Sequence, residues 1–210
     1  SGMANYFHAP FMFLTETISI PTGVIFLSAL GTMWRGKLRP EPPTIYALIW
    51  VFQFLMGGIT GIFLADVATD VNLQDSYFVV AHFHYTIMGG VVFGFFAGLH
   101  YWFPKITGRM YNRKIARLNA LWIGFFFQLT FIPMFWAGTN GMNRRIADFA
   151  SNLKGANLFI SINAWLLGLG FLVFVANMLY GAIKGPKVNS NPWNAATLEW
   201  QISSPPSEHN

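Results

Sequence analysis

Five apolar runs, each about twenty residues or longer, take up most of this 210-residue chain. They fall at about 11–34, 44–65, 76–103, 118–138 and 156–183. A helix rises about 1.5 Å per residue, so about twenty residues cross the hydrocarbon core of a bilayer. Backbone N–H and C=O groups find no water there, and a helix pairs them within one segment. The runs therefore predict an all-α, polytopic membrane helical bundle with five transmembrane helices in residues 1–183. An irregular tail at 184–210 should follow on the cytoplasmic side. The short connections predict antiparallel neighbours. Only 10% of residues are charged, against about 25% in a soluble domain. The first apolar run follows an uncharged start and is too long for a signal-peptide core, so no cleavable signal is expected. The chain has no cysteine, which excludes disulfides, iron–sulfur clusters and thiolate zinc sites.

Charge placement sets the expected orientation. Arg35, Lys37, Arg39, Lys105, Arg109, Arg113, Lys114, Arg117, Lys184 and Lys187 fall on one side of the runs, ten of the thirteen basic residues. Asp66, Asp70, Asp75 and Asp148 fall on the other, with Arg144, Arg145 and Lys154. The positive-inside rule places the ten-residue side in the cytoplasm. The N-terminus is then outside and the C-terminus inside. The net charge of +5 is thus a topology signal and implies no nucleic-acid partner.

The third run carries His82 and His84 near its outer end. Residues two apart on a helix point about 200° apart. One metal on one face would call for histidines at i and i+4. Opposed histidines suit two separate ligands, and haem iron takes imidazole as an axial ligand. The competing reading is a pair of neutral histidines hydrogen-bonded to neighbouring helices. Ionisable groups within a membrane are rare and mark function by default.

Other positions narrow the reading. Thr15, Glu16, Ser19 and Thr22 recur every three or four residues and form one polar face of the first helix. Two readings stay open for that face, a proton path and hydrogen-bonded helix packing. Pro21 should kink this helix. Gly57, Gly58, Thr60 and Gly61 in the second helix read as close packing. His100 reads as an interfacial histidine and not a ligand, and Pro104 should end its helix. Arg144 and Arg145 are basic residues on the outer side, against the positive-inside trend. They ask for an anionic partner, because guanidinium binds carboxylate in bidentate fashion.

The run Asp75-Ser-Tyr-Phe-Val-Val-Ala-His-Phe-His-Tyr85 closely resembles the tenth transmembrane helix of subunit I of the haem-copper terminal oxidases. The Ile-Pro-Thr-Gly-Val run at 20–24, the Gly-Met-x-Arg-Arg run ending at Arg145 and the tail around Asn191 to Trp200 resemble the same family. The resemblance implies the last five helices of a twelve-helix subunit, in a cytochrome c or quinol oxidase that reduces O2 to water with proton uptake and pumping. It implies two haems, with His82 on the high-spin iron, His84 on the low-spin iron and Phe83 between them. It assigns Arg144, Arg145 and Asp70 to the haem propionates and Asp75 to a magnesium or manganese ion. Gln74 stands where that ion site has a histidine. Thr22 matches a proton-channel threonine, and Ile25 stands where the commonest branch has a channel lysine.

The family's copper is held by an adjacent histidine pair and a third histidine joined to a tyrosine. The remaining histidines here are His8, His100 and His209, with no two adjacent. Copper is therefore expected on residues outside this chain. The Ser1-Gly2-Met3 start resembles a point just after the family's histidine pair, so the sequence reads as a fragment or a split subunit. The expected partners are the remainder of subunit I, subunits II and III, cytochrome c or a quinol, and the bilayer of a bacterial cytoplasmic membrane. A nitric oxide reductase of the same superfamily is one alternative. A non-catalytic membrane scaffold or transporter bundle is another.

Overall fold

The computed structural model describes residues 5–207. The Ser1-Gly2-Met3 match and His209 lie outside the described residues. Those described are helical or irregular, with isolated bridges at Ser76–Asn143 and Arg109–Lys187. Five helices are long and apolar enough to cross a membrane. Large apolar side chains such as Trp165, Leu118 and Leu172 stand exposed on their outer faces.

The first span is α1 (His8–Thr17) and α2 (Ser19–Met33), broken at Ile18. Pro21 has no N–H to give the Thr17 carbonyl, and its ring crowds that carbonyl. The break therefore falls one turn before the proline. The second span, α3 (Pro42–Ala65), opens with proline in its first turn, where φ is already helical and no donor is lost. A short helix, α4 (Val67–Leu73), follows. Asp66 caps it by accepting from the Thr69 N–H at 3.1 Å.

The third span is not one regular α-helix. It runs as α5 (Tyr77–Phe83), a π-helical segment (His84–Val92) and α6 (Phe93–Thr107). The Thr86 hydroxyl lies 3.3 Å from the His82 carbonyl and 3.2 Å from that of Phe83, and donates where the ladder loosens. Pro104 does not end this span, which continues to Thr107 and stops at left-handed Gly108. The proline leaves the His100 carbonyl without its helical donor, and the Tyr111 hydroxyl supplies one at 3.2 Å. The fourth and fifth spans are α7 (Arg113–Thr139) and α8 (Lys154–Lys184). Helix α7 begins well before the apolar run at 118, because its first turn is polar and is capped by Asn112. Apolar length marks the bilayer and not the end of hydrogen bonding.

The core lies where α3, α6, α7 and α8 meet, around Tyr46, Phe93, Ile123 and Phe127. Its aromatic rings meet edge to face, as Phe93 and Phe127 do with centroids 5.5 Å apart, the arrangement ring quadrupoles favour. His100 belongs to this core. It is 1% exposed and enclosed by Tyr46, Tyr111 and Phe174.

The tail is irregular, as its composition predicts, but it is docked. Trp200 is buried and donates its indole N–H to the Tyr101 hydroxyl at 2.8 Å. Lys105 donates to the carbonyls of Ile202 at 2.9 Å and Ser203 at 3.2 Å. Its ammonium also lies 5.0 Å from the Trp200 ring centroid. At the same end Glu41 accepts from Arg113 and, at 2.7 Å, from Arg117. Burial pushes the Glu41 carboxyl up, but the hydrogen bonds and charges of the two arginines outweigh it and hold it below the ordinary 4.5. A depressed folded-state value stabilises above the ordinary value and stops doing so as pH falls through the depressed one. Glu41→Gln should therefore be less stable than the native chain near neutral pH, with the gap closing as the pH drops below 4.5. Thermal unfolding of the detergent-solubilised protein across that range measures it, and a gap independent of pH would contradict the assignment.

Candidate functional site

The site is built on α5, which carries both histidines in its last turn and at its junction with the π segment. His82 faces α3. Its Nδ1 lies 3.1 Å from the Thr60 hydroxyl. That hydroxyl already has a carbonyl to donate to, Met56 at 2.8 Å, so its oxygen accepts from His82 Nδ1–H. The Nε2 lone pair of His82 is then free. Gly61 makes the approach possible, since a Cβ there would stand 3.0 Å from His82 Cε1. Thr60 was thus missed as a functional residue. The only sequence signal was a hydroxyl set among Gly57, Gly58 and Gly61, which reads first as packing.

His84 faces the other way, toward α7. Its ring stacks on Phe131 with centroids 4.2 Å apart, and on Phe83 at 4.6 Å. Its Nδ1 lies 2.8 Å from the Val80 carbonyl. A carbonyl can only accept, so Nδ1 carries the proton and Nε2 is again the free lone pair. Each ring is therefore held by Nδ1, the arrangement that orients a histidine for an axial bond through its other nitrogen. His100 shows the contrast. Its Nδ1 donates to the Phe96 carbonyl at 2.7 Å, but packed aromatic rings leave no room at the other nitrogen.

A cavity of about 430 Å³ opens beside His82, between the first span and α3. Gly57, Gly58 and Gly61 form part of one wall, and nothing lies within 4 Å of the space above Gly58. Thr15, Glu16, Ser19 and Thr22 line the opposite side. The polar face of the first helix and the first histidine thus share one cavity. The Thr15 and Thr22 hydroxyls donate to their own helix, to the carbonyls of Phe11 and Ile18. Glu16 has no partner among the described residues. His82 and the open face of Gly58 line this one cavity, and an imidazole beside open space fits the axial ligand of a haem.

The loops at the end of the bundle nearer His82 and His84 are tied to the histidine helix. The Tyr77 N–H donates to the Met142 carbonyl at 2.9 Å, and the Arg144 N–H to the Asp75 carbonyl at 2.8 Å. Gly138 presses on Phe78, and a Cβ there would stand 2.2 Å from the Phe78 nitrogen. The Arg144 guanidinium donates to Asp75 Oδ1, from NH2 at 2.5 Å and from Nε at 3.0 Å. That hydrogen bond and charge hold the Asp75 carboxyl below its ordinary range. Arg145 is exposed and has no side-chain partner among the described residues. Burial raises the Asp70 carboxyl, and the Asp75 charge adds to the rise. Asp75 is thus engaged by an arginine. No group of three or more His, Cys, Asp or Glu able to hold a metal ion occurs among the described residues. Asp75 alone does not make a magnesium or manganese site.

Thr60→Val keeps the shape of the side chain but removes the hydroxyl that the His82 Nδ1–H meets. Losing one hydrogen bond costs about 0.5–1.5 kcal/mol. The expected result is a lower unfolding midpoint for the solubilised protein, restored by Thr60→Ser. An unchanged midpoint in the valine variant would remove Thr60 as the anchor of this ring.

Comparison with known proteins adds an independent line. The family model described as cytochrome c and quinol oxidase polypeptide I matches residues 1–172. Cytochrome c oxidase subunit 1 of Synechocystis is 41% identical over 206 residues, covering 98% of this chain and 37% of that protein. Cytochrome c oxidase subunit 1 of Bacillus subtilis is 37% identical and covers all of this chain and 34% of that protein. This chain thus spans about a third of the length of these relatives. A solved heme-copper terminal oxidase dimer matches the whole chain with TM-score 0.73 at 19% identity, over 41% of its own chain. That likeness concerns the fold.

Proposed function

The chain belongs to the cytochrome c and quinol oxidase polypeptide I family, and from that premise we propose that it provides the haem-holding helices of the catalytic subunit of a haem-copper oxygen reductase. The overall reaction joins one O2, four electrons and four protons into two waters. The observation that carries the reading is the opposed pair His82 and His84, each fixed through Nδ1 with Nε2 free. His82 holds the high-spin haem in the cavity beside α3, and His84 holds the low-spin haem on the α7 side. When bound, the haem irons supply one-electron redox chemistry and O2 activation. Phe83 lies between the two ligands and stacks on His84.

The remaining residues take supporting roles. Arg145 offers a free guanidinium to a propionate on the outer side, and Arg144 reaches the same region while pinned to Asp75. Asp70, with its raised carboxyl, is a candidate to share a proton with a propionate. Thr15, Glu16, Ser19 and Thr22 carry protons toward the His82 cavity, in place of the lysine that Ile25 replaces. Proton pumping accompanies the reaction. Copper is held by residues outside this chain, as is any magnesium or manganese site that Asp75 joins. The remainder of subunit I and subunits II and III complete the complex. Relatives named cytochrome c oxidase support cytochrome c as the donor, and the family description also admits a quinol. The basic end, where Lys105 and Arg113 meet the tail, faces the cytoplasm of a bacterial membrane.

A reduced-minus-oxidised spectrum of the purified membrane complex, with and without carbon monoxide, tests the ligands. Two haem signals are expected, one of them shifted by carbon monoxide. His82→Ala should remove the shifted signal and His84→Ala the other. Haem content and both signals unchanged in the two variants would defeat the assignment. Glu16→Gln tests the proton path. It should slow turnover by about a hundredfold or more, as loss of a proton-transfer group does, and leave the haem spectrum intact. Unaltered turnover and proton uptake would take Glu16 out of the path.

A further inference from the structure

Gln53 stands near the middle of α3, far from both membrane surfaces, and is fully buried. Neither its Oε1 nor its Nε2 has a hydrogen-bond partner. A side-chain amide offers one acceptor and two donors, and buried amides are nearly always paired with protein or ordered water. Facing it is Gly89 of the π segment. A Cβ on Gly89 would stand 2.8 Å from Gln53 Cβ and 3.2 Å from Oε1, so glycine is what lets the amide lie against the backbone there.

That backbone has an unmet need of its own. The Phe93 N–H donates to the Met88 carbonyl, five residues back. From Phe93 onward the span is α-helical, and its carbonyls accept from four residues ahead. Where a five-back ladder reverts to four-back, one carbonyl is passed over, and here it is that of Gly89. An unpaired amide therefore lies against the residue whose carbonyl the ladder passes over.

We propose that the seam between α3 and the π segment is a binding site for one ordered water molecule, held by the Gln53 amide and the Gly89 carbonyl. Water matches this set because it donates and accepts. With both amide atoms and the carbonyl it makes three hydrogen bonds, the usual number for a buried water. A cation finds no anionic side chain among these groups, and an apolar guest would leave all three unpaired. The water closes the ladder where the span returns from π to α. It thereby fixes the register of the helix that carries His82 and His84.

A high-resolution electron cryomicroscopy map of the purified membrane complex containing this chain tests the site. The expected result is a solvent peak within about 3.2 Å of both the Gln53 amide and the Gly89 oxygen. The peak should vanish in Gln53→Met, which has similar length and no hydrogen-bonding group. A Gln53 amide bonded directly to protein, an empty seam, or a peak that survives in the methionine variant would each overturn the proposal. If the variant fails to assemble, the native map decides alone.

Discussion

The close approach of α3 to the histidine-bearing span is the contact on which the rest of this structure depends. Lipid gives helices no hydrophobic reason to associate, so packing and hydrogen bonds must hold them. Here glycine lets side chains of one helix reach the backbone of the other. Gly57 admits Thr86, Gly61 admits the His82 ring and Gly89 admits Gln53. Each contact puts a polar group where it meets another helix and not lipid. The Thr60 bond to His82 is one product of this approach. It converts a histidine that could titrate or rotate into one held with a single nitrogen outward.

The two ends of the bundle are held differently. At the end nearer the histidines the clasp is mostly backbone. The loop after α7 hydrogen-bonds to the start of α5 and carries Arg144 and Arg145 toward the histidines. At the other end the lock is made by side chains. Lys105 collects carbonyls from the tail and lies against the Trp200 ring, while Glu41 joins Arg113 and Arg117 from the start of α3 to α7. The site therefore sits between a backbone clasp and an ionic and aromatic lock. The first span is the least fixed part, since none of its described residues is buried. It faces the cavity with its polar side and leaves room beside His82.

Much of the candidate site was legible because lipid makes polar residues conspicuous. A histidine, an acid or an arginine pair has few bland uses at these positions, so His82, His84, Glu16, Arg144 and Arg145 could be singled out one by one. Thr60 and Gln53 could not. A threonine between glycines and a glutamine in an aromatic run carry no sign of which helix they will meet. The π segment left no sequence signal either, because its residues are as apolar and as helix-compatible as their neighbours. Asp75 shows the opposite case, a conspicuous carboxylate whose partner Arg144 is a matter of how two loops fold together.

By itself the sequence determined the class of fold, the number of spans and the opposed directions of the two histidines. These follow from apolar length and from the angular step of a helix, both local properties. Tertiary structure decided which nitrogen of each histidine is free, which helix faces the cavity and where the tail lies. It also packed the His100 ring into the aromatic core. Those outcomes depend on distances between helices, and such distances are set by which small side chains happen to face one another. No local pattern contains that information until the chain is packed.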